Sequence, residues 1–363
     1  MPSADAPILV FRYGTLGDTL VAVPSLAALA AAFPRRPLHY MTSALPSDTM
    51  IAPRAVLEPT GMIAGFLEYR SHDGFLRNRA RVRNYVRECG INTLLYLPQP
   101  ERPVAAILRD RVFFAACGLL EIVGFDEALR TARARSSRIP RLALGEARRL
   151  LDIVARMGAP PPQSIPLGIG LSERETIDRL WDSRSLHGRP VVAVCTGGKT
   201  PHQRWPENRY VEVCRLLRTA LDVAFVAVGG ASDRPAGERI CRALDGAGFN
   251  ACGELSVWEC AEVLRRCDLY LGNDTGTMHL AALVGTRCVV PFSFHNLPGT
   301  WFPWGSGHVV LQKRVPCGPC LAETCPRPVC LEAITVAAVA DAARAVLLET
   351  RMPCVESPVS AAL

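Results

Sequence analysis

Ile8–Pro34 reads ILVFRYGTLGDTLVAVPSLAALAAAFP. Its first four residues are all apolar, the pattern of a strand covered on both faces. Gly14 and Gly17 follow, then a run rich in Ala and Leu that favours helix and that Pro34 stops. A buried strand, a glycine turn and a helix begin a βα unit, and such units build a parallel sheet with helices on its faces. The strand is read as residues 7–12 and the helix as 18–33.

The same alternation continues along the chain. Strands are expected at 38–42, 91–97 and 122–125, and helices at 74–89 and 145–157. Pro160, Pro161 and Pro162 then interrupt it. It restarts with strands at 190–195, 223–228, 268–272 and 288–292. Helices are expected at 206–221, 256–267, 277–284 and 335–348. Ser256 and Glu259 have the spacing of a capping box. The expected organisation is an α/β chain of two doubly wound, Rossmann-like halves facing across a cleft. The first half covers 1–165, a linker 166–189, the second half 190–335, and a helix and tail 336–363. In such sheets ligands bind beyond the carboxyl ends of the strands.

Composition agrees with this reading. The chain has 363 residues, enough for two domains, and 49% hydrophobic with 21% charged residues is globular composition. A net charge of +7 suits an anionic substrate or surface. It does not argue for nucleic acid without a recognition motif, and none is present. Asp5, and the lack of any base before Arg12, are unlike a secretory leader. The longest apolar run, 21–33, is too short to span a bilayer. Fourteen cysteines, nine of them scattered through expected core elements, suit a reducing cytoplasm.

Three strand-end loops carry groups capable of chemistry. Gly14, Thr15, Gly17 and Asp18 follow the first strand, where glycines allow close approach and a helix start attracts anions. They match neither the dinucleotide fingerprint nor the Walker motif. For an isolated segment, Asp18 would simply stabilise a helix N-terminus. Its place at the tip of the first strand favours a functional role. The second loop, Thr196 to Pro206, combines Gly197 and Gly198 with Lys199 and Arg204, cations suited to a leaving diphosphate. Its bland reading is a solvated loop with Trp205 packing. The third, Gly272 to His279, offers Thr275, Gly276, Thr277 and Met278 at a helix start for a phosphate, with Asp274 for sugar hydroxyls. His279 reads as a phosphate neighbour rather than a base.

Taken together, these segments resemble glycosyltransferase family 9, the bacterial lipopolysaccharide heptosyltransferases. The opening stretch, LGNDTGTMHLAALVGT and the segment HVVLQKRVPCGPCLAETCP each look like parts of that family. The resemblance is strong at the two ends and thin between about residues 41 and 189. It implies a GT-B fold with an acceptor-side first domain and a donor-side second domain. It implies inverting transfer from ADP-L-glycero-β-D-manno-heptose to a glycan such as lipopolysaccharide core, with no cofactor and no catalytic metal. By the resemblance Asp18 is the general base, and Thr275, Gly276 and His279 contact donor phosphate. Asp274 contacts the sugar, and Thr196 and Gly197 belong to the phosphate loop. Gln203 stands where the family usually has Lys, so Lys199 or Arg204 must supply that charge, with Lys199 favoured.

Other readings are another nucleotide sugar or acceptor, a nucleotide-sugar epimerase, and a nucleotide-sugar-binding protein without catalysis. Cys317, Cys320, Cys325 and Cys330 have spacing that admits a metal as a minority reading, behind packed thiols or a labile disulfide. Arg77, Arg79, Arg81, Arg83 and Arg87 crowd one expected helix, with Arg77, Arg81 and Arg87 on a shared face. They form either a solvated face or a surface drawn to a phosphorylated acceptor or an anionic inner leaflet. That second reading puts the protein peripherally on the cytoplasmic face of the inner membrane. Arg130, Arg133, Arg135, Arg138 and Arg141 read as a basic surface loop.

Overall fold

The computed structural model describes residues 5–44, 50–135, 145–321 and 324–351. The chain divides into two units, residues 1–173 with 295–304, and residues 174–294 with 305–363.

The first unit runs β1 (Ile8–Phe11), α1 (Leu16–Leu20), α2 (Val23–Ala32), β2 (Leu38–Ser43), α3 (Pro53–Leu57), β3 (Ile63–Tyr69), α4 (Gly74–Glu88), β4 (Thr93–Tyr96), α5 (Val104–Ala116), β5 (Glu121–Val123), α6 (Phe125–Arg135) and α7 (Glu146–Ala155). Its five strands pair in parallel in the order β3-β2-β1-β4-β5. Strand order reverses between β1 and β4, so the crevice beyond their carboxyl ends is where such a sheet binds ligands. The fully buried β1 packs through Phe11, whose ring stacks on Tyr96 at 5.5 Å and meets Phe114 edge-on at 5.1 Å. Such aromatic pairs add about 1 kcal/mol each beyond area burial.

After α8 (Leu171–Ser183), the second unit runs β6 (Val191–Cys195), α9 (Glu207–Ala220), β7 (Ala224–Ala227), α10 (Arg234–Ala243), β8 (Gly248–Asn250), α11 (Val257–Arg266), β9 (Leu269–Gly272), α12 (Gly276–Leu283), β10 (Cys288–Phe292), β11 (Val309–Gln312), α13 (Val329–Glu332) and α14 (Val336–Arg351). All six strands are parallel, in the order β11-β10-β9-β6-β7-β8. Here the order reverses between β6 and β9, whose last residues, Cys195 and Gly272, lie opposite each other. No helix among the described residues is long and apolar enough to cross a membrane.

Several expectations need correction. The single helix expected at 18–33 is two helices, broken around Val21 and Ala22 before Pro24 opens the second. The stretch 166–189, read as linker, contains α8. That helix buries Ile177 and Trp181, and the Arg266 guanidinium lies over the Trp181 ring at 5.6 Å. The segment 336–363, set apart as helix and tail, supplies α14, whose Val339, Ala343, Val346 and Leu347 lie in the core of the second unit. The capping box is present: Ser256 N donates to Glu259 at 2.7 Å and Glu259 N to the Ser256 hydroxyl at 3.2 Å. Of the arginines read as a basic loop, Arg130, Arg133 and Arg135 sit on α6, while Arg138 and Arg141 lie outside the described residues.

Candidate functional site

In the first unit, the loop after β1 turns directly into α1. Gly14 has φ of +133°, and a Cβ built there would lie 2.3 Å from the Asp18 Cγ, so only glycine fits. Asp18 is the third residue of α1. One oxygen, Oδ2, accepts from the Thr15 backbone N at 2.9 Å and the Thr15 hydroxyl at 3.3 Å. The other has no partner among the described residues, and the side chain is half-buried. The helix-start role considered for Asp18 is therefore real, and it uses only one of the two oxygens. Gly17 forms part of α1 itself, its carbonyl accepting from Val21 N at 3.1 Å.

Below this loop lies a buried charge cluster that sequence reasoning did not assemble. Arg12, fully buried at the end of β1, donates from Nε to the Asp18 carbonyl at 2.6 Å. Its Nη1 donates to the Leu97 carbonyl at 3.2 Å and to Glu146 at 2.9 Å. Arg149 grips the same carboxylate from Nε at 2.7 Å and Nη2 at 2.8 Å, and also reaches the Pro98 carbonyl. Burial works to raise the Glu146 carboxyl, but the two guanidiniums outweigh it and hold the group below the usual range. Beside the loop, Arg102 donates to the Tyr13 hydroxyl at 2.7 Å and binds Asp110 through two bonds of 2.6 and 2.7 Å. The available hint was Arg12 itself, a charge at the end of an apolar strand.

In the second unit, the loops after β6 and β9 are joined by Asn273, which is fully buried. Its Nδ2 donates to the Thr196 carbonyl at 2.9 Å and the Gly197 carbonyl at 3.0 Å. Its Oδ1 accepts from Trp205 N at 2.9 Å and the Tyr210 hydroxyl at 2.7 Å. One amide thus fixes both loops and the entry to α9. Neither Asn273 nor Tyr210 was singled out from sequence, although Asn273 lies inside the third motif. Asp233, from the loop after β7, also closes on this region. A Cβ at Gly197 would lie 2.6 Å from its carboxylate.

Thr275 caps α12, its hydroxyl accepting from Met278 N at 3.3 Å. The backbone N–H groups of Gly276 and Thr277 have no acceptor among the described residues and remain available to an anion. Met278 is not available in that way, because its side chain is core and its N–H is taken by the cap. Asp274 and His279 are buried, at 8% and 6% exposure. Gln203 accepts from the Thr200 hydroxyl at 2.8 Å and donates to Asp274 at 3.4 Å, so it ties the second loop to the third. Arg204 is turned back on its own loop, with Nε and Nη2 donating to the Gly198 carbonyl at 2.9 and 2.6 Å. Lys199 is exposed and has no partner among the described residues. Trp205 is packed edge-on against Tyr210 at 4.9 Å, which matches its bland reading.

The four cysteines of the 317–330 segment do not converge. Cys317 and Cys320 are exposed, Cys330 is buried, and all four are free thiols. Among the described residues no three ligand side chains stand together to hold a metal ion. On α4, Arg77 and Arg87 are exposed, while Arg81 is half-buried and drawn to Asp73 and Asn78.

A family model described as glycosyltransferase family 9 (heptosyltransferase) matches residues 119–330. Lipooligosaccharide heptosyltransferase 2 of Haemophilus influenzae is 31% identical over 118 residues, 31% of this chain and 34% of that protein. The chain thus matches about a third of the length of that curated relative. Among solved structures, the Escherichia coli ADP-heptose lps heptosyltransferase II is similar with a TM-score of 0.67 at 19% identity, covering 95% of this chain and 100% of the other. A glycosyl transferase family 9 structure from Veillonella parvula has a TM-score of 0.73 at 18% identity, covering 96% and 99%. At these identities the structural likeness is one of fold, and that fold is GT-B.

Proposed function

This chain belongs to glycosyltransferase family 9, and from that premise we propose that it is an inverting glycosyltransferase. It moves heptose from ADP-L-glycero-β-D-manno-heptose to a hydroxyl of a glycan acceptor such as lipopolysaccharide core, in the cytoplasm. The observation that carries the reading is Asp18, a carboxylate at the switch point of the first sheet with one oxygen anchored by Thr15 and the other open.

The open oxygen takes the proton of the acceptor hydroxyl as that hydroxyl attacks the anomeric carbon. The bond from the anomeric carbon to the diphosphate breaks, and ADP leaves from the opposite face of the sugar. Negative charge builds on the diphosphate as that bond breaks, so donors aimed at it lower the barrier. The N–H groups of Gly276 and Thr277, the α12 dipole and Lys199 supply them. Arg204 is committed to the Gly198 carbonyl, which supports Lys199 as the replacement for the family's Lys at position 203. Free cysteines, many of them buried, support a reducing compartment.

The test is Asp18→Asn. Turnover of ADP-heptose with acceptor is expected to fall about a hundredfold or more, within the range of general base catalysis. Donor affinity, read by titration calorimetry, is expected to stay unchanged. Unchanged turnover would remove Asp18 from the base role. Activity abolished by EDTA and restored by a divalent ion would overturn the metal-free form of the mechanism.

A further inference from the structure

We propose that Tyr13 is an acceptor-binding residue, whose hydroxyl donates a hydrogen bond to an uncharged oxygen of the acceptor sugar beside Asp18. The inference rests on the transferase reading above, in which the open oxygen of Asp18 faces the acceptor hydroxyl.

Tyr13 lies just beyond β1, at the head of the loop that carries Gly14, Thr15 and Asp18. Strand order reverses between β1 and β4, so the loop after β4 borders the same crevice. That second loop supplies the groups that fix Tyr13. Gln99 Nε2 donates to the Tyr13 carbonyl. Arg102 Nη1 donates to the Tyr13 hydroxyl at 2.7 Å, and its guanidinium lies 4.8 Å from the centre of the ring. Arg102 is itself held by two bonds to Asp110, of 2.6 and 2.7 Å. Tyr96 secures that carboxylate in turn, donating to it at 2.7 Å. The Tyr13 ring also packs on Phe11, with centroids 5.9 Å apart. Ring and hydroxyl are therefore set in place before any ligand arrives.

The proton of this hydroxyl has no use within the protein. An arginine only donates, so Arg102 occupies a lone pair of the phenol oxygen and turns the O–H away from itself. That O–H has no acceptor among the described residues, and Tyr13 is only half-buried. Burial pushes the phenol up, and the Asp18 charge adds to the rise against the pull of Arg102. The group is a protonated donor in the neutral range, within electrostatic reach of Asp18. The bond it accepts from a guanidinium polarises the O–H and strengthens it as a donor. Arg102 is balanced by Asp110, so the network adds no net charge, and the nearby Asp18 carboxylate repels an anion. A ring or hydroxyl oxygen of a sugar fits such a donor better than a phosphate or carboxylate.

The test is Tyr13→Phe, assayed with ADP-heptose and a deacylated lipopolysaccharide core oligosaccharide as acceptor. The substitution keeps the ring against Phe11 and Arg102. KM for the oligosaccharide should rise about three- to tenfold, the usual effect of losing one neutral hydrogen bond. Turnover at saturating oligosaccharide should change by less than about twofold. Donor affinity and the thermal melt should match the parent. Tyr13→Leu, which also removes the ring, should raise KM at least as far. A rise of about a hundredfold would overturn the uncharged partner, because bonds to charged groups have effects of that size. An unchanged KM would overturn the proposal. So would a fall in turnover at unchanged KM, since Tyr13 would then act only through the loop that carries Asp18. Asp18→Asn, run alongside, tests the base role separately. If its turnover is unchanged, that role fails, and Tyr13→Phe is still decided by binding of the oligosaccharide in calorimetry. An oligosaccharide that the parent neither binds nor glycosylates would overturn the acceptor class and this inference together.

Discussion

The two strand-end sites are held in different ways. In the first unit, the Asp18 loop rests on a buried cluster of charges: Arg12, Glu146 and Arg149. In the second, the loops after β6 and β9 rest on a neutral amide, Asn273, with Tyr210 and Gln203 beside it. Both occupy the switch point of a parallel sheet, so fold alone does not explain the contrast. A buried charged cluster is rigid but depends on every partner staying ionised, because removing one leaves the others unpaired in a low dielectric. A neutral amide holds its loops whatever the pH. It also puts no fixed charge of its own beside the position where a diphosphate is proposed to leave.

The strongest way to break the comparison is Glu146→Ala, which strands two buried guanidiniums. It should cost about 3–5 kcal/mol, read from denaturant melts of the whole chain. A loss below about 1 kcal/mol would mean that water reaches the cluster and that its charges are not buried in effect. The same residue sets the acid limit. Its carboxyl is held below the unfolded value, so its stabilisation is fully present above the unfolded pKa. It is lost as pH falls through the lower folded value. Stability should therefore decline steeply below about pH 4.5 in the parent. In Glu146→Gln that part of the decline should vanish, which acid titration of the melts would read.

Asn273→Ala should cost less, about 2–3 kcal/mol, since it orphans neutral groups at Trp205 N and the Thr196 and Gly197 carbonyls. The loss should be the same at pH 5 and pH 8, and donor affinity should fall with it because both loops loosen. A pH-dependent loss would show that the second site also leans on charge.

The smallest effect sharpens the assignment of that charge. Lys199→Ala should slow turnover about tenfold under saturating donor, consistent with the loss of one cation from a developing anion. Arg204→Ala should change it less, because that guanidinium already serves the Gly198 carbonyl. The reverse order would make Arg204 the diphosphate cation. Gln203→Lys, measured alongside, should lower the need for Lys199. If it leaves the Lys199→Ala defect intact, position 203 does not reach the diphosphate.

Much of the fold was legible because its signals are local. β1, β6, β9 and β10 are apolar runs buried on both faces, and α11 announces its start through Ser256 and Glu259. The strands that escaped notice had weaker local marks. β3 carries Gly65 and Glu68 in a partly exposed strand at the sheet edge, and β8 is three residues long at another edge. Periodicity stands out only where one face is consistently apolar and the run is long enough to show it.

The site divides along the same line. Sequence alone marked the three loops proposed for the chemistry, because glycines, threonines and a carboxylate directly after buried strands are a local pattern: Gly14 to Asp18, Thr196 to Arg204, and Asp274 to His279. Only the tertiary structure decided what holds those loops and which groups are left free. Arg12 meets Glu146 across 134 residues of chain, and Asn273 meets Thr196 across 77. Such partners carry no periodicity and no fixed spacing. They are set by which strands the sheet places side by side, and by the physical need of each buried charge or amide to find its partner there.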